Sequence, residues 1–285
     1  MTPAESSKAE SWLDSSAQKE AEELLRRRFT ELKYWNIEDA IGASMSLDGT
    51  RSRFLYLQTV LPESAFTSGA RVFVSGTEAG GEMIIAREFG FGPVHGVDVD
   101  PYFVEVAQRR VAGLEGFDCR LYDGTRIPFE DGLFDVVLSG HVIEHTADPC
   151  GYLRELFRVL RNGGYLFLEY PTRFHTKELH TGLPSLEWAP GPFRRAALRF
   201  LGSKLAPLEP ETRRKFFTIL DTGLKPISLP QIRYWIARSP SRATLLDATR
   251  AAPGIIRTVF RKDGRRDSGS ADAASPGDRL THKRP

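Results

Sequence analysis

Apolar positions along the chain follow two rhythms, and the change between them divides it. In residues 19–35, Leu24, Leu25, Phe29 and Leu32 fall at helical spacing with charges between them, the pattern of an amphipathic helix. Glu22 to Arg26 and Glu23 to Arg27 are favourable i,i+4 pairs on its polar side. A second helix is expected over 51–60, where Phe54, Leu55, Leu57 and Val60 can pack. After Gly69, short strand-like runs alternate with helical ones. Residues 71–75, 94–99, 117–122, 133–139 and 165–170 read as strands; 80–90, 101–111 and 151–160 read as helices. Pro101 suits a first helical turn, and Asn162-Gly163-Gly164 reads as a helix C-cap. Strands separated by helices of this length predict βαβ units, hence an α/β fold with a mainly parallel sheet covered on both faces. Farther on, 228–238 reads as a helix. Residues 243–249 and 255–261 read as an antiparallel hairpin, although the second segment also fits a basic helix.

Composition then bounds the classes. The chain has 285 residues, 41% hydrophobic and 27% charged, which excludes wholesale disorder. Residues 1–18 are rich in Ser, Ala and Glu, and 262–285 hold almost no large apolar side chain. Both ends are therefore expected to be disordered, with 19–261 as the folded domain. No run approaches the roughly 18 apolar residues of a membrane span, and the polar N-terminus has no apolar signal core. A cytoplasmic location is the expectation. Two cysteines, Cys119 and Cys150, exclude a disulfide scaffold and read as structural.

Charge adds a division. Residues 1–150 carry 14 Lys+Arg and 25 Asp+Glu, a net −11, and the remainder carries +13, although the chain as a whole is only +2. The basic half contains GPFRRAALRFLGSKL (191–205) and ETRRKFFTIL (211–220). These read either as a helical cap on the sheet or as a surface, 191–220, for peripheral contact with an anionic membrane or a phosphate-bearing acceptor. No nucleic-acid-binding module is recognisable.

Ligands of parallel sheets lie beyond the carboxyl ends of the strands, and four features sit there. Ser75-Gly76-Thr77-Glu78-Ala79-Gly80-Gly81 follows the first strand; glycines allow close backbone approach, and a helix N-terminus offers free amides. Asp98 ends the second strand, where a carboxylate can accept from a ribose diol, while Asp100 before Pro101 is the better helix cap. Asp123-Gly124 follows the third strand and reads as an adenine acceptor, with Ile127 or Phe129 against the ring, or as a turn. The fourth feature runs from Phe134 through Ser139-Gly140-His141 to Glu144-His145.

Together these residues resemble the class I S-adenosylmethionine-dependent methyltransferases, in particular the small-molecule group that includes quinone-biosynthesis methylases. The most specific stretches are IPFEDGLFDVVLSGHVIEH (127–145) and FRVLRNGGYLFLEYP (157–171); the likeness covers about 69–172. The resemblance implies a Rossmann-like sheet, with a helical insertion after the fifth strand, about 173–227, as acceptor lid. It implies S-adenosylmethionine as cofactor. Gly76 and Gly80 would hold its methionine end, Asp98 the ribose, and Asp123 with Gly124 the adenine. Ser139 and Gly140 would line the path to the methyl group. The first motif departs from the family: Val74 stands in place of an acid, and Glu78 in place of a glycine. The Glu78 carboxylate is a candidate replacement for the lost charge against the cationic cofactor.

Histidine suits proton removal from a hydroxyl acceptor near neutral pH. His141, His175 and His180 are the catalytic candidates, and they motivate an oxygen acceptor. His145 reads as packing and capping, and His95 as packing. His175, Glu178 and His180 lack the spacing of a helical zinc motif, so no metal is expected. The expected reaction is methyl transfer to a small-molecule or lipid- or sugar-linked acceptor, anionic if the basic half faces it. The competing class is a catalytically degenerate methyltransferase fold acting as a binding protein. Hydride transfer is disfavoured, since no Tyr-x-x-x-Lys pair accompanies the glycine turn.

Overall fold

The computed structural model describes residues 10–172 except Lys33 and Trp35, residues 227–265, and Phe193, Ala196 and Phe200. Seven strands are β1 (Val72–Ser75), β2 (Val94–Asp98), β3 (Phe117–Leu121), β4 (Phe134–Gly140), β5 (Leu160–Pro171), β6 (Ser241–Ala252) and β7 (Ile255–Arg265). They form one sheet in the order β3-β2-β1-β4-β5-β7-β6. The first five are parallel, and β7 runs antiparallel between β5 and β6. The chain winds outward from β1 through β2 to β3, then restarts on the other side with β4. The resulting switch point lies between β1 and β4, where open α/β sheets form a crevice at the strand carboxyl ends.

Seven helices are described: α1 (Ser15–Glu31), α2 (Ile37–Met45), α3 (Asp48–Val60), α4 (Gly81–Glu88), α5 (Pro101–Arg110), α6 (Pro149–Val159) and α7 (Leu229–Ala237). Alternate residues of the strands feed two cores. Val72, Val74, Val136, Leu138 and Phe167 pack with α3, α4 and α5. Phe73, Val137, Leu166 and Leu168 pack with α6 and α7. Burial on both faces explains why these strands are continuous apolar runs. Asp100 caps α5 ahead of Pro101, as expected, with its carboxylate accepting from the Tyr102 amide at 2.9 Å.

Several expectations shift. Helix α1 begins at Ser15, capped by Asp14, and a single 3-10 turn covers Glu10–Trp12, so the ordered region starts before residue 19. Its buried stripe is Ala21, Leu25 and Phe29, while Leu32 is 45% exposed. Arg26 reaches Glu38 of α2, at 2.8 and 3.1 Å, rather than closing a pair within its own helix. Helix α2 was not anticipated. Asn162-Gly163-Gly164 is no helix cap: α6 ends at Val159 with Leu160 already extended, and the glycines lie within β5. A Cβ on Gly164 would approach the Asp135 carbonyl to 2.8 Å, so this bend requires glycine. The hairpin reading of 243–261 holds, and β7 continues to Arg265, beyond the expected start of the tail. Apart from Phe193, Ala196 and Phe200, which are helical and exposed, residues 173–226 of the expected lid lie outside the described residues. So does the tail from 266. No described helix is long and apolar enough to cross a membrane.

Candidate active site

The glycine loop after β1 is a left-handed cradle. Gly76, Glu78 and Gly80 have φ of +75°, +43° and +76°. A Cβ on Gly76 would strike the Val142 side chain, and one on Gly80 would stand 3.2 Å from Ala107. Glycine therefore suits both positions for shape and space. Glu78 holds a conformation that side chains disfavour. Its carboxylate accepts from Ser44 Oγ of α2 at 2.6 Å, and its amide donates to Asp98 Oδ2 at 3.1 Å. Behind the loop, the buried Arg110 donates to the Ala79 carbonyl at 2.7 Å, the Met45 carbonyl at 3.0 Å and Gln18 at 2.9 Å. This side chain fastens the N-terminal helices to the cradle. Burial brings its pKa down to about 10.

Asp98 ends β2 beside the cradle, 8% exposed. Burial raises its pKa, partly offset by the amides of Asp100 and Glu78 that bond its two oxygens. Each oxygen has room for a further donor, as a ribose diol requires. Asp123 is exposed, and its Oδ1 accepts from the Thr125 amide at 2.8 Å and the Arg126 amide at 3.1 Å. Bonds from Thr125 and Arg126 lower its pKa. Asp123 thus builds a turn, with Gly124 at φ +78°. Ile127 and Phe129 do not face an adenine site. Ile127 is buried in the core, and Phe129 packs against Phe73, His95 and Phe134. The apolar surface beside Asp98 and Gly124 is instead Val99, 58% exposed.

Ser139 lies beneath the site. It is 1% exposed, and its Oγ is 2.8 Å from the Tyr152 hydroxyl, which donates to Ser75 Oγ at 2.8 Å. The relay ties the ends of β1 and β4 together through α6. The Ser139 side chain therefore does not line a path to the methyl group.

Past Gly140 the backbone turns through His141 at φ +56°. His141 enters a cluster drawn from five separate parts of the chain. Its Nε2 lies 3.1 Å from Glu169 Oε1, and its Nδ1 3.5 Å from Glu144 Oε1. Arg53 of α3 bonds Glu169 at 2.7 Å and Glu82 at 2.6 Å. Arg257 of β7 bonds the other Glu169 oxygen at 2.5 Å. Burial opposes the charged form of His141, but bonds to Glu144 and Glu169 more than reverse this and raise its pKa to about 9. Burial likewise opposes ionisation of Glu169, yet His141, Arg53 and Arg257 together bring it to about 2. Burial raises the pKa of Glu82, against the charge of Arg53. With both ring nitrogens facing carboxylates, His141 is an imidazolium at neutral pH and has no lone pair for a proton. The expected role of His141 as a base is therefore corrected to one of holding the rim. Among the described residues, one oxygen each of Glu82 and Glu144 is buried without a partner. This negative character favours a cation nearby.

Residues 75–168 match the family described as a methyltransferase domain. The chain is 38% identical over 103 residues to phthiotriol/phenolphthiotriol dimycocerosates methyltransferase 1 of Mycobacterium ulcerans, covering 35% of this chain and 36% of that one. It is 32% identical over 81 residues to a ubiquinone/menaquinone biosynthesis C-methyltransferase of Desulfotalea psychrophila, covering 28% and 32%. The chain spans between 23% and 55% of the length of the first four curated relatives. A solved S-adenosylmethionine dependent methyltransferase from Mesorhizobium loti shares the fold, with a TM-score of 0.55 at 16% identity over 76% of this chain and 100% of that one. Residues 75–168 thus carry a methyltransferase domain, on the fold of S-adenosylmethionine-dependent methyltransferases.

The methyl donor of these methyltransferases is S-adenosylmethionine, and the residues present fit it. The loop takes the left-handed path at Gly76, Glu78 and Gly80, Asp98 retains acceptor capacity, and buried carboxylate oxygens of Glu82 and Glu144 lack partners among the described residues. Where the methyltransferase pattern has an acid on β1, Val74 is fully buried in the core. His175 and His180 lie outside the described residues. His95 packs as expected, 3.3 Å from Asp118 and edge-on to Phe129 and Phe134. Cys119 is buried, and burial raises its thiol pKa to about 11. Sequence reasoning missed Arg53, Glu82, Glu169, Arg257 and Arg110. These residues are dispersed along the chain, Arg53 and Glu82 standing 29 positions apart, and no local spacing signals such a cluster.

Proposed function

We propose that the chain transfers a methyl group from S-adenosylmethionine to a small-molecule acceptor. The observation that carries this reading is Asp98, held by the Glu78 amide beside the left-handed cradle with acceptor capacity left over. Bound there, the cofactor supplies an electrophilic sulfonium methyl group. Gly76, Glu78 and Gly80 hold its methionine end, Asp98 the ribose, and Asp123, Gly124 and Val99 the adenine side. The Glu78 carboxylate replaces the missing β1 acid against the cation. Methyl transfer is an in-line displacement, so the remaining work is alignment of the acceptor.

The acceptor in this proposal is an anionic oxygen compound, lipid- or sugar-linked, which enters already ionised or yields its proton to His175 or His180. The basic half supports that reading, as does the lack of proton-accepting capacity in His141. Calorimetry with S-adenosylmethionine and S-adenosylhomocysteine tests the cofactor site. Both should bind, and Asp98→Ala should weaken both at least tenfold. Failure of the wild-type chain to bind either would favour a degenerate fold. Mass spectrometry of products from acceptor extracts then identifies the methylated atom. Flotation with neutral and anionic vesicles tests residues 191–220 as a membrane contact; equal recovery from both counts against it.

A further inference from the structure

A cavity of about 540 Å³ lies at the opposite end of the strands, beside the amino ends of β4 and β5. Asp131 and Gly132 precede β4 there, and Arg161 and Asn162 lie near the start of β5. The cofactor cradle is at the carboxyl ends, so the length of β4 separates the two, about 20 Å at some 3.3 Å per residue. The volume is in the usual range for a small-ligand pocket.

Five cations line this cavity, and three of them already have carboxylate partners. Arg158 bonds Glu155 and Asp131, both within 2.9 Å; Arg161 pairs with Asp135; Arg154 lies 3.8 Å from Asp148. The other two are Lys262 and Arg265. Among the described residues, neither pairs with a carboxylate. Lys262 is only 6% exposed. Its ammonium donates to the carbonyls of Phe157 and Leu160 at 2.7 and 2.6 Å, at the end of α6. An ammonium has three donors, so one remains. Burial lowers the pKa of Lys262 and the neighbouring Arg265 lowers it further, while Asp131 acts in the opposite direction.

Capping α6 explains two bonds of Lys262 but leaves its like-charged neighbour unexplained. Asp131, which also lines the cavity, offsets part of this charge, but it is already bonded to Arg158, and the surplus of cations favours a further anion. Arginine and lysine side chains lining a pocket of this size suit a phosphate group. We propose that this cavity binds the phosphate group of a small phosphorylated molecule, independently of the methyl-transfer site.

The test uses the full-length chain, with inorganic phosphate, diphosphate and AMP as probes in calorimetry and thermal unfolding. Sodium chloride at equal ionic strength is the reference. At least one probe should bind saturably and raise the unfolding temperature beyond the salt effect. Tighter binding of AMP would assign a phosphate ester, and equal or tighter binding of the inorganic ions a free phosphate. The double variant Arg154→Gln/Arg265→Gln changes exposed side chains and should weaken binding at least tenfold while unfolding at the same temperature without ligand. Binding should persist with saturating S-adenosylhomocysteine. No saturable response to any probe would leave Lys262 a helix cap only and overturn the proposal. So would unchanged affinity in the double variant, or loss of binding when the cofactor site is filled.

Discussion

His141 is joined twice to Glu169: its amide donates to the Glu169 carbonyl at 2.7 Å, and its Nε2 lies 3.1 Å from the carboxylate. Folding raises the imidazole pKa to about 9, from roughly 6.5 in an unfolded chain. Its contribution to stability is therefore complete below about pH 6.5 and fades as the pH rises through about 9. The ring is one-third exposed, so solvent screening reduces that contribution to about 1–2 kcal/mol. Denaturant midpoints should fall between pH 6.5 and 9.5 in the wild type and stay flatter in His141→Asn. A ring proton titration by NMR should give a midpoint well above 7.

Removing the Glu169 charge should cost more. Its side chain is 4% exposed and touches His141, Arg53 and Arg257. Glu169→Gln leaves three cations short of an anion, and a loss of about 3 kcal/mol is expected. The same substitution should shift the NMR midpoint of His141 downward. In the wild type, the stabilisation from this carboxylate is present above about pH 4.3 and is lost as the pH falls towards 2.

Glu78 separates backbone strain from side-chain contact. Glu78→Ala removes the Ser44 bond and keeps a non-glycine residue at φ +43°. Glu78→Gly removes the same bond and relieves the strain. The glycine variant should be the more stable of the two by about 1 kcal/mol. If the carboxylate faces the sulfonium, both variants should lose affinity for S-adenosylmethionine more than for the neutral sulfide product. Equal losses for the two ligands would remove the charge role.

The hydroxyl relay gives a cleaner stability test. Tyr152→Phe leaves Ser75 and Ser139 buried with one partner fewer each. A loss of about 1–3 kcal/mol is expected by chemical denaturation. Adding Ser75→Ala and Ser139→Ala should recover part of it, because the unmatched donors then disappear.

The central sheet was legible because strands buried on both faces must be apolar throughout, as VFV in β1 and FDVVLS in β4 are. The cradle was legible through its glycines, even with Glu78 among them, since the left-handed path is retained. Helix α2 escaped notice because IEDAIGASM is short and has only Ile41 buried. Lys262 was assigned to a polar tail, yet it is buried under the end of α6 by tertiary contacts that no local composition reveals. Ser139 and Phe129 sat in the right stretch of sequence, but strand direction sent the Ser139 side chain into the interior, and Phe129, in the bend before β4, packs against Phe73, His95 and Phe134. The assignment of His141 failed for a different reason: its chemistry is set by Glu144 and Glu169, and only the second strand of contacts, through β5, brings Glu169 near.

Arg257 also bonds the Ser52 hydroxyl at 3.0 Å, across a sequence separation of 205 residues. During synthesis, the cradle and its helices emerge well before β7. A nascent chain can therefore shape its cofactor pocket while Glu169 still lacks one of its cations, and the rim around His141 is completed only when the last strand slides between β5 and β6. A chain cut short before residue 255 would lack the Arg257 bonds to Glu169 and Ser52 that complete this rim.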